Sequence, residues 1–239
     1  MPVELSSLRN RLLLTLSTPM LEQMLPHLQR VEMPFRSSVQ LADTSIDRVY
    51  FPESGWVSLL VTLEGGDAAE VGLVGREGLI GLPLLFNVDR SITEAMVQCA
   101  GTALAMEAGA FRYLIGEHTA LRDLLLRYAF AVNTQLTMTA ACNGRHLLDE
   151  RLARWLLMSH DRVEGDDFPM THEFLAMMLG VRRAGITTAA GVLQKAGLIR
   201  YEQGRIRVID RPGLEAAACE CHQVVTKEFH RLLGKPIFK

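Results

Sequence analysis

Histidine is absent between His27 and His118, aromatic residues make up only 6% of the 239 positions, and cysteine occurs four times. The histidine gap falls across the most strand-prone part of the chain. It excludes a metalloenzyme of the double-stranded β-helix type, which holds its ion through two or three histidines and a carboxylate on the sheet. No apolar run reaches the roughly 18–20 residues that a membrane span requires. The leucine-rich start "MPVELSSLRNRLLLTLSTPM" lacks the basic opening and small-residue cleavage site of a secretory signal. A cytoplasmic protein without a membrane partner is the expectation. Hydrophobic residues at 49% and charged residues at 22% describe a globular chain with an ample core, long enough for two domains.

Net charge is −2, and the small total hides an asymmetry. Residues 1–144 carry 10 Lys and Arg against 15 Asp and Glu, a net of −5; residues 145–239 carry 15 against 12, a net of +3. Within 171–211 the ratio is 7 to 3, so the positive charge is concentrated there. A basic segment joined to an acidic one suits an anion-binding module attached to a different activity.

From about 30 to 107, "RVYFP", "GWVSLLVTL", "AAEVGLV", "TEAMVQCA" and "TALAMEA" are apolar or alternating runs separated by turn residues. They predict short antiparallel strands in a sandwich or roll. Glycines 72, 75, 78 and 81 recur every third residue, do not match a dinucleotide fingerprint, and are read as turn and bulge glycines. Residues 117–143 contain neither proline nor glycine and predict one long helix that Gly144 interrupts. On it Leu121, Leu125, Tyr128, Val132, Gln135, Thr139 and Cys142 follow four- and three-residue steps, the pattern of a two-stranded seam and hence of a homodimer. The alternative is a helix packed on its own sheet, for which Leu124, Ala131 and Met138 offer a second edge. A further amphipathic helix follows, with Leu147, Leu148, Leu152, Trp155 and Leu156 inward and Arg and Glu outward. "VEGDDFP" reads as a loop.

The informative stretch is "LGVRRAGITTAAGVLQKAGLI", residues 179–199. Ile186, Ala189, Ala190 and Leu193 form the apolar face of a helix. At about 100° per residue, Ala184, Thr188, Gly191 and Lys195 lie opposite. That outer face is small and uncharged until its last member, as suits a helix lying close against something. Thr171 is a good N-cap for the preceding helix, with Glu173 in its first turn. A short helix, a turn at Gly180, a second helix and two β-prone runs around Gln203-Gly204 make a winged helix-turn-helix, which places its second helix in the major groove of double-stranded DNA. Arg182, Arg183, Ala184, Thr187 and Thr188 would face the bases or the phosphates; Lys195, Arg205 and Arg207 would lie along the backbone.

Taken together, the strand roll, the long helix, "ERLARWLLM" and "MTHEFLAMMLGVRRAGITTAAGVLQKAGLIRYEQGRIRV" resemble the Crp–Fnr family of bacterial transcription regulators over nearly the whole chain. The resemblance implies an α+β chain with a cyclic-nucleotide-binding-like β-roll over 1–116, a dimerisation helix over 117–144 and a winged helix-turn-helix over 145–239. It implies a non-enzymatic regulator that binds DNA as a homodimer and works with RNA polymerase. Family members read bases through positions matching Arg183, Ala184 and Thr188, commonly Arg, Glu and Arg, so a different operator is expected here.

The family's nucleotide site uses a Gly-Glu pair and an Arg-Ser pair. Gly81-Leu82 and Thr93-Glu94 stand at those places, with Arg90-Ser91 as a nearby alternative. Leu82 cannot accept the ribose hydroxyl and Glu94 would repel the phosphate, so cyclic AMP is not expected. An iron–sulfur cluster is not expected either, because none of Cys99, Cys142, Cys219 and Cys221 lies near the N-terminus, where the cluster-bearing branch keeps its ligands. In "CECH", residues 219–222, Cys219 and Cys221 on one helix would diverge by roughly 200°, too far to share an ion. Cys142 could serve redox chemistry or simply pack. Haem stays open through His27, Cys99 or His118, with no spacing to select among them. A module whose helix-turn-helix contacts protein, with no DNA-binding activity, is the competing function.

Overall fold

The computed structural model describes residues 3–234 and Phe238. Helix α1 (Thr18–Met24) leads into strands β1 (Gln29–Met33), β2 (Ser38–Gln40), β3 (Arg48–Pro52), β4 (Trp56–Thr62), β5 (Ala68–Val74), β6 (Glu94–Cys99) and β7 (Gly101–Glu107). Helices α2 (Ala108–Glu117), α3 (Thr119–Arg145) and α4 (Leu148–His160) follow. Then come β8 (Asp167–Pro169), α5 (His172–Leu179), α6 (Arg183–Lys195), β9 (Ile199–Glu202), β10 (Arg205–Val208), α7 (Arg211–Ala217) and α8 (Cys221–Leu233).

The first seven strands form two antiparallel sheets, ordered β1-β7-β3 and β2-β6-β4-β5. Alternation in β4 and β6 turns Val57, Ala95 and Val97 into the space between the sheets, where Met33, Val74, Ile80 and Ala103 join them. A larger core lies outside the roll. There Phe51 and Leu104 meet Phe111 of α2, Tyr128 of α3 and Phe229 of α8. The third sheet, β8-β10-β9, belongs to the helix-turn-helix and uses a strand inside the stretch read as a loop. Phe168 at the middle of β8 is fully buried against Trp56, ring edge to ring face at 5.9 Å.

The long helix is present but shifted. It begins at Thr119, after an extended residue at His118, and runs through Gly144 to Arg145. One exposed glycine near a helix end costs only about 1 kcal/mol, too little to stop a helix whose earlier turns are packed. Leu121, Leu125, Tyr128, Val132, Gln135, Thr139 and Cys142 are all buried within one chain. Tyr128 Oη accepts from Leu79 N at 3.0 Å, Gln135 donates to Leu73 O at 3.1 Å, and Phe229 of α8 meets the Tyr128 ring edge-on at 6.3 Å. The expected intersubunit seam is therefore an intrachain one, because the roll and α8 cover it.

The repeating glycines sit at a bulge and at turns, as read: the β4–β5 register shifts beside Gly72, and Gly78 N donates to Gly75 O at 3.0 Å. Close approach of other side chains is a second reason for them. A Cβ at Gly72 would lie 3.0 Å from Gln135 Nε2, at Gly75 2.8 Å from Arg162, and at Gly78 2.2 Å from Tyr128 Oη. These three glycines let helix α3 and Arg162 approach the sheet; only Gly81 takes a left-handed φ, +93°. Arg154 and Arg162 are not outward-facing as expected of this segment; both are buried. Among the described residues no helix is long and apolar enough to cross a membrane.

Candidate nucleic-acid interface

Helix α5 starts as its sequence predicts: the Thr171 hydroxyl accepts from Phe174 N at 3.2 Å, and Glu173 lies in the first turn. Gly180 ends it in the left-handed conformation, φ +62°, which lets the chain turn sharply into α6. Arg151 of α4 donates to Leu179 O at 2.6 Å, satisfying a carbonyl at the end of α5 and fixing α4 beneath the motif.

Ile186, Ala189, Ala190 and Leu193 are buried against α4 and α5, as their spacing requires. Arg182, Arg183, Ala184, Thr187, Thr188 and Lys195 are exposed, and Gly191 is half-buried. Neither Arg182 nor Arg183 has a carboxylate partner among the described residues. Thr188 donates to Ala184 O at 3.2 Å. Thr187 is more occupied, donating to Arg183 O and lying 3.1 Å from His172 Nδ1. The His172 ring stacks on Tyr201 of β9 at 4.0 Å and ties the motif to the wing. Burial, and then the Arg183 charge, hold His172 below the usual imidazole range.

In the wing, Gln203 and Gly204 turn with φ of 50° and 74°. Arg205 is exposed yet paired with Asp167 at 2.7 Å, so a phosphate would have to share this guanidinium with a carboxylate. Arg207 follows on the same face of β10.

Gly81, Leu82 and Thr93 line a cavity of about 340 Å³ between the roll and α3. Glu94 does not; its carboxylate accepts from Ser38 on β2. Arg90 and Ser91 line the cavity too, but most of the wall is apolar, with Leu59, Val74, Leu79, Pro83, Val132 and Leu136 among its residues. Such a wall suits an apolar ligand better than a cyclic phosphate.

His27 lies before β1, Cys99 ends β6 and His118 separates α2 from α3, three separate places in the fold. By contrast, Cys142, His146, Cys219 and Cys221 come together, including the two cysteines that a single helix would keep apart. Cys219 and Cys221 are not on one helix. Cys219 follows the end of α7, Glu220 is the N-cap of α8, and Cys221 is its first residue. A helix of "CHQVVTKEFHRLL", with His222, Val225, Phe229 and Leu233 on one face, was legible as an amphipathic period that begins only after Cys219.

The helix-turn-helix is also wired to the roll. Trp155 of α4 donates to Glu70 Oε1 of β5 at 2.6 Å, and Ser58 donates to the other carboxylate oxygen. Burial pushes the Glu70 carboxyl up to about 7 in spite of both hydrogen bonds. The folded chain thus holds this proton more tightly than the unfolded chain. The stability it provides is complete below the ordinary carboxylate range and is lost as pH rises through about 7. Denaturant titrations should show a loss on the order of 3 kcal/mol from pH 4 to pH 8 that Glu70→Gln abolishes. A variant with the same pH slope as the parent would show that Glu70 is ionised throughout.

The sequence profile of the Crp-like helix-turn-helix domain matches residues 150–217. No curated protein matches the chain significantly. Among solved structures, FixK2 from Bradyrhizobium japonicum is similar with a TM-score of 0.70 at 15% identity, over 80% of this chain and 98% of that one. The c-di-GMP-responsive global regulator CLP of Xanthomonas campestris gives 0.65 at 16%, over 80% and 99%. TTHB099, a CRP-family transcriptional regulator from Thermus thermophilus, gives 0.67 at 18%, over 79% and 96%. The fold of the chain is therefore that of these solved structures, and residues 150–217 match a Crp-like helix-turn-helix domain.

Proposed function

We propose that the chain is a sequence-specific DNA-binding transcription regulator that acts as a homodimer on a palindromic operator, with RNA polymerase as its partner at the promoter. The observation that carries this reading is the outer face of α6, exposed, nearly free of bulk and headed by two arginines without carboxylate partners. A recognition helix needs those properties to approach base edges in a groove about 12 Å wide. Arg183 would read guanine, Ala184 and Thr188 would meet thymine methyls, and Lys195 and Arg205 would grip phosphates.

Dimerisation is assigned to a different stripe of α3 from the buried one. Leu126, Phe130, Asn133, Thr137, Ala140 and Gly144 are all exposed and again follow alternating four- and three-residue steps. Leu126 and Phe130 expose 43% and 54% of their surface one helical turn apart, and the small residues beyond them permit close approach. The effector, if the cavity takes one, is an apolar molecule and not cyclic AMP.

Selection of genomic fragments by the purified chain, with no nucleotide added, should enrich a palindrome whose half-sites lie about 34–36 Å apart. Arg183→Ala should cost about 1–3 kcal/mol and relax specificity at one base position. Arg205→Ala should weaken all sequences alike and reduce the salt slope by about 1. Failure to enrich any sequence, with binding insensitive to salt, would favour the protein-interaction module instead.

A further inference from the structure

Four side chains outside the DNA-binding face and the apolar cavity converge where α3 ends and α8 begins. Cys142 lies in the last turn of α3, and His146 is the extended C-cap residue that follows the helix. Cys219 and Cys221 flank Glu220 at the start of α8. One ligand atom from each of the four lies within 4.8 Å of every other. Cys142 Sγ is 3.5 Å from Cys219 Sγ, and Cys221 Sγ is 3.5 Å from His146 Nδ1.

Those separations are close to the edges of a zinc tetrahedron. With Zn–S near 2.3 Å and Zn–N near 2.0–2.1 Å, tetrahedral angles put sulfur about 3.8 Å from sulfur and about 3.6 Å from nitrogen. All three cysteines are buried and His146 is half-buried, as a closed structural site requires.

Two further observations point to an ion. His146 turns Nδ1 toward Cys221 while its Nε2 lies 3.3 Å from the Glu220 carboxylate. A carboxylate behind the second ring nitrogen is the usual outer partner of a metal-bound histidine; it sets the tautomer and raises the ligand's basicity. Arg154 is the second. It is buried and donates through Nη2 to Thr139 Oγ1 at 3.1 Å, while its Nε and Nη1 have no hydrogen-bond partner among the described residues. Its charge acts on both Cys142 and Cys221. A dication held by three thiolates and a neutral imidazole carries one net negative charge, the counterion that such a buried guanidinium lacks.

We propose that Cys142, His146, Cys219 and Cys221 form a Cys3His site for a structural zinc ion, with Glu220 as the positioning residue behind His146. Binding releases the thiol protons to solvent and closes four protein bonds around the ion, with no position left open for a reaction. The ion fastens the end of α3, from which α4 departs after Leu147, to the start of α8.

The full-length chain, purified with reductant and dialysed against metal-free buffer, should retain one zinc per chain. Co2+ in its place should give the intense ligand-field and sulfur-to-metal charge-transfer bands of a tetrahedral thiolate site. Cys142→Ser and Cys221→Ser should abolish those bands, and Glu220→Gln should weaken affinity about 10–100-fold without changing their shape. The Co2+ titration of the parent chain is decisive even where a serine variant does not fold. The proposal is overturned by a reduced chain that holds no zinc and gives no thiolate–Co2+ spectrum. It is equally overturned by an iron–sulfur chromophore on these cysteines, or by a Cys142–Cys219 disulfide that zinc does not prevent.

Discussion

Arg162→Met is expected to destabilise the chain by about 3–5 kcal/mol, the cost of leaving a buried carboxylate without its counterion. Arg162 and Glu77 expose 1% and 3% of their side chains, and Arg162 Nη2 lies 2.6 Å from Glu77 Oε1. The same guanidinium donates to Met158 O at 2.7 Å and, more weakly, reaches Gln135 Oε1 and Leu73 O. It therefore joins the end of α4, the middle of α3 and the edge of the roll in one polar node, and Gly75 leaves room for it. Methionine matches the volume of the stem but cannot donate, so Glu77 loses the guanidinium and keeps the hydrogen bond from Gly75 N at 3.0 Å. At roughly 2–4 °C per kcal/mol for a chain of this size, Tm should fall by roughly 6–20 °C. Adding Glu77→Gln removes the stranded charge and should restore much of the loss. If Arg162→Met alone costs less than about 1 kcal/mol, water reaches Glu77 and the node is not a buried pair.

The second large effect concerns assembly. Phe130→Glu places a charge in the middle of the exposed stripe of α3 and should convert a dimer to a monomer in sedimentation, with helix content unchanged. Operator affinity should then drop by about 10²–10⁴-fold, because the second half-site loses the effective concentration that the linked subunit supplies. Binding of a single half-site should be unaffected. Val132→Ala, on the buried stripe of the same helix, is the control. It should cost about 0.5–3 kcal/mol of stability while the chain remains dimeric. If instead Phe130→Glu stays dimeric, the subunits meet elsewhere.

These two residues, two positions apart on one helix, show where sequence reasoning stopped. Both stripes of α3 repeat in four- and three-residue steps, and periodicity says only that a face meets something. The more apolar stripe has the pattern of an intersubunit seam, with packing on the chain's own sheet as the alternative. It is in fact the intrachain one, since a permanent contact with the roll and α8 can hide Leu121, Tyr128 and Val132 from water throughout the life of the chain. The remaining stripe is weaker, with Asn133 and Thr137 in it, as the proposed dimer face would be if it is exposed until two chains meet.

The helix-turn-helix was legible because its determinants are local. The Thr171 cap, the Gly180 turn and the buried set from Ile186 to Leu193 each act within a few residues, so the sequence by itself determined α5, α6, the wing and the small outer face. Strands β3 to β7 of the roll followed from alternation for the same reason, whereas β1 and β2 did not stand out as runs. What only the tertiary structure decided depends on groups distant in sequence. Gly75 makes room for an arginine 87 positions later, and Glu70 receives a hydrogen bond from Trp155. The thiol of Cys142 meets that of Cys219 because a turn, not a helix, carries the chain past Glu220. Side-chain spacing along one segment has no information about such pairs; they exist only where long-range packing has already fixed two segments side by side.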